Sequence, residues 1–171
     1  MSLGGIVASS SVRIGGDKLD QAIADYIRKK YGLAVGDKTA EEIKIAVGSA
    51  TPLAKEKSYE IRGRDMLQGL PKTITVNSTE ITEALQGQLD KIILSIRSVL
   101  EKTPPELSSD VIDRGMVMTG GSSQLRNLDK LISKATGVAV TIAEESHLCV
   151  AKGTGLALEN LDDYKKSSLW K

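Results

Sequence analysis

Apolar and polar residues recur along this chain with a period that changes several times, and each change marks an element. The clearest stretch lies between residues 77 and 103. Ile81, Leu85, Leu89, Ile92, Ile96 and Val99 recur at helical spacing, with Leu100 beside them. Asn77-Ser78-Thr79-Glu80 supplies the start. A second helix is predicted from Asp17, placed as its cap, with Leu19, Ile23, Tyr26 and Ile27 on one face. Gly32 then ends it in the left-handed region that a glycine adopts without strain. Residues 33–38 read as a loop. Thr39-Ala40-Glu41-Glu42 has the form of a capping box, so a short helix is expected to run to about Val47 and stop at Gly48. Ala50-Thr51-Pro52 reads as a turn.

Elsewhere the period is close to two. Residues 6–14 alternate loosely and carry β-branched side chains, which predicts a strand, broken by Gly15-Gly16. Residues 59–64 and 72–76 read as two more strands, joined by the loop Gln68-Gly69-Leu70-Pro71. Thr103 caps a short helix with Pro104 at its first position, and Gly115 closes it. Met116 to Thr119 form a short apolar strand that enters Gly120-Gly121-Ser122-Ser123 and then a helix with Leu125, Leu128, Leu131 and Ile132 inward. Gly137 ends that helix, and residues 138–142 are a further strand. Ser146 caps a last helix whose apolar positions are Leu148, Ala151, Leu156 and Leu158. Residues 162–171 are a polar tail apart from Leu169 and Trp170. Strands alternating with helices point to an α/β fold. Leu3-Gly4-Gly5-Ile6-Val7 reads as a hairpin turn, from which the chain is expected to start in mid-fold; a short N-terminal strand is the other reading. The first reading leaves an unpaired sheet edge at 6–14, which invites self-association.

Composition narrows this picture. The 171 residues suit one domain, or one with a smaller insert. Aromatic residues are 3% and Phe is absent, so the core must be aliphatic. A net charge of +1 provides no basic field for nucleic acid. No apolar run is long enough for a transmembrane helix, and no signal peptide is recognisable. The single Cys149 cannot form an internal disulfide, and the single His147 cannot build a His-based metal site. Cys149 is expected in the core and His147 on the surface.

Two segments carry candidate chemistry. Gly120, Gly121, Ser122 and Ser123 join a strand to a helix, an arrangement that leaves amides exposed for a polar or anionic ligand. The same residues also fit a plain tight turn, for they match neither dinucleotide nor P-loop patterns. Glu41 and Lys44 lie three apart on one helical face, where they can hydrogen-bond sugar hydroxyls and a base edge, or simply face water. No catalytic group and no metal site stand out.

The strings "SLGGIVASSSVRIGGDKLDQAIADYIRKKYGLAVGDKTAEEIKIAVGSA", "YEIRGRDMLQGLPKTITV", "VLEKTPPELSSDVIDRGMVMTGGSSQLRNLDKLI" and "CVAKGTGLAL" resemble, in the same order, the second half of MreB-type bacterial actin-like cell-shape proteins. These belong to the actin and sugar-kinase/heat-shock ATPase superfamily. The resemblance implies a ribonuclease-H-like C-terminal subdomain (1–16 plus 73–161) with a smaller α+β subdomain inserted at 17–72, and the N-terminal half absent. It implies ATP or ADP as ligand, with magnesium in the full-length family. Gly120, Gly121 and Ser122, with Ser123 beside them, match its adenosine motif, and Glu41 and Lys44 match the helix that closes over the adenosine. Both phosphate loops of the family are missing from this sequence, so the metal site is missing and no hydrolysis is expected. Implied partners are further filament subunits and membrane proteins of cell-shape and peptidoglycan synthesis. The implied location is cytoplasmic, at the inner membrane face, with only peripheral membrane contact and no nucleic acid. A stand-alone scaffold module without a nucleotide role is the alternative.

Overall fold

A computed structural model describes residues 5–162. The elements run α1 (Gly16–Tyr31), β1 (Leu33–Ala34), α2 (Asp37–Val47), β2 (Ser58–Asp65), β3 (Pro71–Asn77), α3 (Ser78–Lys102), α4 (Pro105–Arg114), β4 (Met116–Met118), α5 (Leu128–Thr136), β5 (Val140–Ile142) and α6 (Cys149–Glu159). Short 3-10 turns at Gly121–Gln124 and Ser146–Leu148 precede α5 and α6. The opening Leu3-Gly4 and the tail beyond Asp162 lie outside the described residues.

The long helix α3 forms as its stripe dictates. Asn77 Oδ1 accepts from the Glu80 amide at 2.9 Å, and Glu80 Oε2 accepts from the Asn77 amide at 2.9 Å. That reciprocal pair satisfies two amides the first turn would otherwise leave open. Ile81, Leu85 and Leu89 are fully buried. Farther along, Ile93 is buried while Ile92 and Ile96 are only partly so, because the stripe drifts around the helix.

Strands β1, β2 and β3 make an antiparallel sheet in that order, with Ile61 opposite Ile74 and Tyr59 opposite Val76. Strands β4 and β5 pair in parallel, Met116 opposite Val140, through a connection containing α5. One apolar cluster joins α1, α2, α3, the β1–β3 sheet and α5. It runs from Leu19, Ile23 and Ile27 of α1 through Ile43 and Val47 of α2 and the centre of α3 to Leu125, Leu128 and Ile132. Each fully buried Leu or Ile stabilises by roughly 1.5–3 kcal/mol relative to exposure.

Several sequence expectations need correction. Residues 6–14 form no strand. No strand among the described residues lies beside them, and Ile6, Val7 and Val12 remain exposed. Asp17 sits in the first turn of α1 rather than capping it, since Gly15 is the cap. Helix α2 starts at Asp37, so Thr39 lies inside the first turn and no capping box forms. The expected loop at 33–38 contains β1, whose Leu33 and Ala34 pair with Asp65 and Arg64. Gly63 makes that approach possible: a Cβ there would meet Ala34 O at 2.5 Å. Pro105, not Pro104, takes the first position of α4. The helix expected directly after Ser123, with Leu125 on its inner face, is delayed to Leu128, because Ala50 N donates to Arg126 O at 2.8 Å and holds the chain open there. Asn127 then turns through φ 58°. Cys149 is half-buried, not core; its thiol faces Glu144 O at 3.7 Å, and His147 is exposed as expected. Leu148, Leu156 and Leu158 of the last helical stretch are exposed at 37%, 58% and 67%, since no described element covers them.

Candidate functional site

Three segments far apart in sequence enclose a cleft of about 520 Å³. Gly16 and Leu19 of α1 form its floor, Glu41, Lys44, Ile45 and Gly48 of α2 one wall, and Gly121, Ser122, Gln124, Leu125 and Arg126 the other. Helical spacing puts Glu41, Lys44, Ile45 and Gly48 on one face of α2. Ala40, Ile43 and Val47 face the core instead. The α2 wall is therefore held from behind by packing.

The opposite wall is built from a left-handed glycine. Gly120 has φ 87°, which turns the chain out of β4. Its amide donates to Ser146 O at 2.7 Å, and its carbonyl accepts from Ser123 Oγ at 2.7 Å. A Cβ built at Gly121 would meet no atom within 4 Å, so its backbone offers an open, uncrowded surface.

Of the six residues singled out from the sequence, the fold brings Glu41, Lys44, Gly121 and Ser122 onto this cleft. Gly120 and Ser123 do not line it. Ser123 is buried, and its hydroxyl is spent on Gly120, so the pair shapes the turn from behind.

Sequence reasoning missed other participants. Lys44 Nζ lies 2.8 Å from Asp20 Oδ2, with both side chains mostly buried. Arg126 Nη1 donates to Gly48 O at 3.1 Å and so ties the two walls together. Beside it, Ser49 accepts from Asn127 Nδ2 at 3.0 Å and donates to Thr51 O at 2.6 Å. Arg126 and Gly48 are 78 residues apart, and nothing local announces the bond. Asp20 did leave a signal. It falls on the Leu19–Ile23–Ile27 face of α1, where an unpartnered acid is out of place.

A second groove, of about 600 Å³, lies between α1 and α3 and is shallower. Several of its polar side chains are already engaged. Tyr26 Oη donates to Glu83 Oε2 at 2.9 Å, and Lys30 Nζ sits 2.7 Å from Glu80 Oε1. Burial opposes ionisation of Glu80, but bonds from Lys30, Tyr31 and the Asn77 amide outweigh it and lower its pKa. The Glu80 and Tyr26 bonds raise the Lys30 pKa further. With Tyr26, Lys30 and Glu83 so engaged, this shallower groove joins two helices and offers less to a ligand than the first. Among the described residues, no group of three or more His, Cys, Asp or Glu is placed to hold a metal, and no helix is long and apolar enough to cross a membrane.

The family model described as MreB/Mbl protein matches residues 1–166. The cell shape-determining protein Mbl of Bacillus cereus is 51% identical over 169 residues, covering 99% of this chain and 51% of that protein. The cell shape-determining protein MreB of Escherichia coli K12 is 51% identical over 162 residues, covering 95% of this chain and 47% of its own length. The chain thus spans about half the length of the curated relatives it matches. Among solved structures, MreB5 of Spiroplasma citri bound to ADP superposes with a TM-score of 0.89 at 36% identity, over 96% of this chain and 50% of that one. The MamK double helical filament gives 0.67 at 20% identity, over 84% and 46%, a likeness of fold alone. The α/β architecture is that of the actin-like proteins.

Proposed function

The chain belongs to the MreB/Mbl protein family, and on that premise we propose that it is the adenosine-binding, C-terminal part of an actin-like cell-shape protein. One observation carries the reading. Glu41 and Lys44 on one side, and Gly121 and Ser122 on the other, converge on a single cleft although about 80 residues separate them. A plain turn and a plain solvated helix face need not meet.

The residues suit an adenine nucleotide. The open backbone at Gly121 and the apolar sides of Leu19, Ile45 and Leu125 would accept a flat ring. Glu41 would accept from ribose hydroxyls, and Lys44 would donate to ribose or phosphate oxygens. Arg126 would add positive charge beside the ligand while keeping the walls together. The bound nucleotide itself would supply the energy-bearing phosphates. These residues bind and orient its adenosine end, and no step of hydrolysis is assigned to them. The relative MreB5 is bound to ADP in its solved structure, which supports the choice of ligand.

On this reading residues 1–16 and 73–161 make a ribonuclease-H-like subdomain, and 17–72 a smaller inserted one, with the cleft at their seam. The whole protein would assemble with its own copies into nucleotide-dependent filaments at the cytoplasmic face of the membrane. There it would guide the cell-shape machinery, as the names of its relatives suggest.

Calorimetric titration with ADP tests the binding half. Weak but saturable binding is expected, and Glu41→Gln or Lys44→Met should each weaken it by about tenfold, the loss of one charge-assisted bond. No heat of binding at millimolar ADP would refute the reading. Steady magnesium-dependent phosphate release by this chain alone would refute the restriction to binding.

A further inference from the structure

We propose that Asp20 is the positioning residue of this cleft: it holds the Lys44 ammonium at the rim in one orientation, so that the ligand meets donors already aimed. This rests on the nucleotide reading above.

Three observations point to it. First, Lys44 lines the cleft while Asp20 does not, yet the two are joined at 2.8 Å across α1 and α2. The bond takes one of the three donors of the ammonium and leaves two for a ligand. A lysine has a long flexible stem, and tethering its head before binding removes an ordering cost that binding would otherwise carry.

Second, the ammonium stands in an awkward place. A Cβ at Gly16 would lie only 3.4 Å from Lys44 Nζ, so the charge sits beside the first turn of α1. That end of a helix carries partial positive charge and repels a cation. Left alone, Lys44 should swing out to water. The Asp20 carboxylate, one turn farther along α1, keeps it in.

Third, Asp20 is costly where it is. It is 9% exposed, on the core-facing side of α1 among Leu19, Ile23 and Ala24. Only Oδ2 is engaged, and Oδ1 is buried with no hydrogen-bond partner among the described residues. A half-satisfied buried carboxylate is poor for stability, and an apolar residue would pack there better. A role at the site accounts for its presence.

The test is a double-variant cycle on the whole chain with ADP as probe, alongside lysine-selective NMR of the ammonium groups. Asp20→Asn keeps the size and removes the charge. With Lys44 present it should weaken ADP binding about tenfold. With Lys44→Met in the background it should change binding less than twofold, since Asp20 acts only through Lys44. The Lys44 ammonium resonance should be sharp and protected in the unmodified chain, and should merge with those of free lysines in Asp20→Asn. Equal losses in both backgrounds, or a Lys44 resonance unmoved by Asp20→Asn, would overturn the positioning role and leave the nucleotide reading standing. If the unmodified chain binds no ADP although Lys44 is held, the nucleotide reading fails, and the role given to Asp20 fails with it. Should Asp20→Asn fold poorly, the pair Asp20→Leu with Lys44→Met restores a neutral, packed site. That pair should unfold no earlier than the unmodified chain yet bind ADP no better than Lys44→Met alone; tighter binding would overturn the proposal.

Discussion

Helices α1 and α6 both carry an apolar face at helical spacing, and they meet opposite fates. In α1, Leu19, Ile23 and Ile27 are at most 2% exposed. In α6, Val150, Leu156 and Leu158 stand 69%, 58% and 67% exposed, and the helix has no buried residue. The same contrast separates the surroundings. Around α1, α2 and α3 the core is continuous, whereas α4 buries nothing and Val117 of β4 faces outward at 67% exposure. Amphipathic spacing tells which face seeks a partner. It does not tell whether a partner lies within the same stretch of chain.

The largest expected effect breaks that contrast if it fails. Ile23→Ala removes a fully buried side chain and should cost about 2–5 kcal/mol in urea unfolding. Leu156→Ala, on the exposed face of α6, should change stability by less than about 0.5 kcal/mol. Comparable losses would mean that α6 is covered after all.

The next effect concerns the seam between the cleft walls. Ser49 is fully buried and bonds both Thr51 and Asn127. Ser49→Ala leaves the Asn127 amide without its acceptor, and should cost about 1–3 kcal/mol. Amide exchange near Arg126 should rise with it, while exchange in the β2–β3 hairpin stays unchanged.

Smaller again is the capping difference between α3 and α4. Asn77→Ala breaks the reciprocal cap of α3 and should cost about 1 kcal/mol. Helix α4 has no side-chain cap to lose. Serine in place of Pro104 should therefore leave α4 unharmed, as measured by helical circular dichroism.

The smallest effect is local and lies in acid. Bonds from the Gln68 amide, the Lys72 ammonium and the Leu67 amide lower the Asp65 pKa to about 2, from the usual 3.8. A carboxylate lowered in the folded state stabilises above its unfolded value and stops doing so as pH falls through the folded one. The hairpin tip at Leu67 and Gln68 should thus keep its order at pH 4 and lose it towards pH 2. Amide shifts of those two residues that titrate near pH 4 would contradict this.

Most of the fold was legible because its signals are local. The α3 stripe, its Asn77 cap, the β2–β3 pair and the glycine stops at Gly32, Gly48 and Gly137 all depend on residues close in sequence. The delayed start of α5 was not legible, since it depends on a bond from Ala50 to Arg126. For the same reason the pairing of β1 with β2 was missed. At the site, Glu41, Lys44, Gly121 and Ser122 could be proposed from spacing and resemblance. Their convergence, and the part of Arg126, became visible only once the chain was folded. Asp20 lies between these cases: its position on an apolar face was readable, its partner was not.

The most direct measurement is an ADP titration followed by backbone amide shifts across the whole chain. Two-walled binding should move Glu41 to Lys44 and Gly121 to Gln124 together, with one common affinity, and leave α4 and α6 still. Shifts confined to one wall, or shifts at neither, would contradict the claim that these distant segments form one nucleotide site.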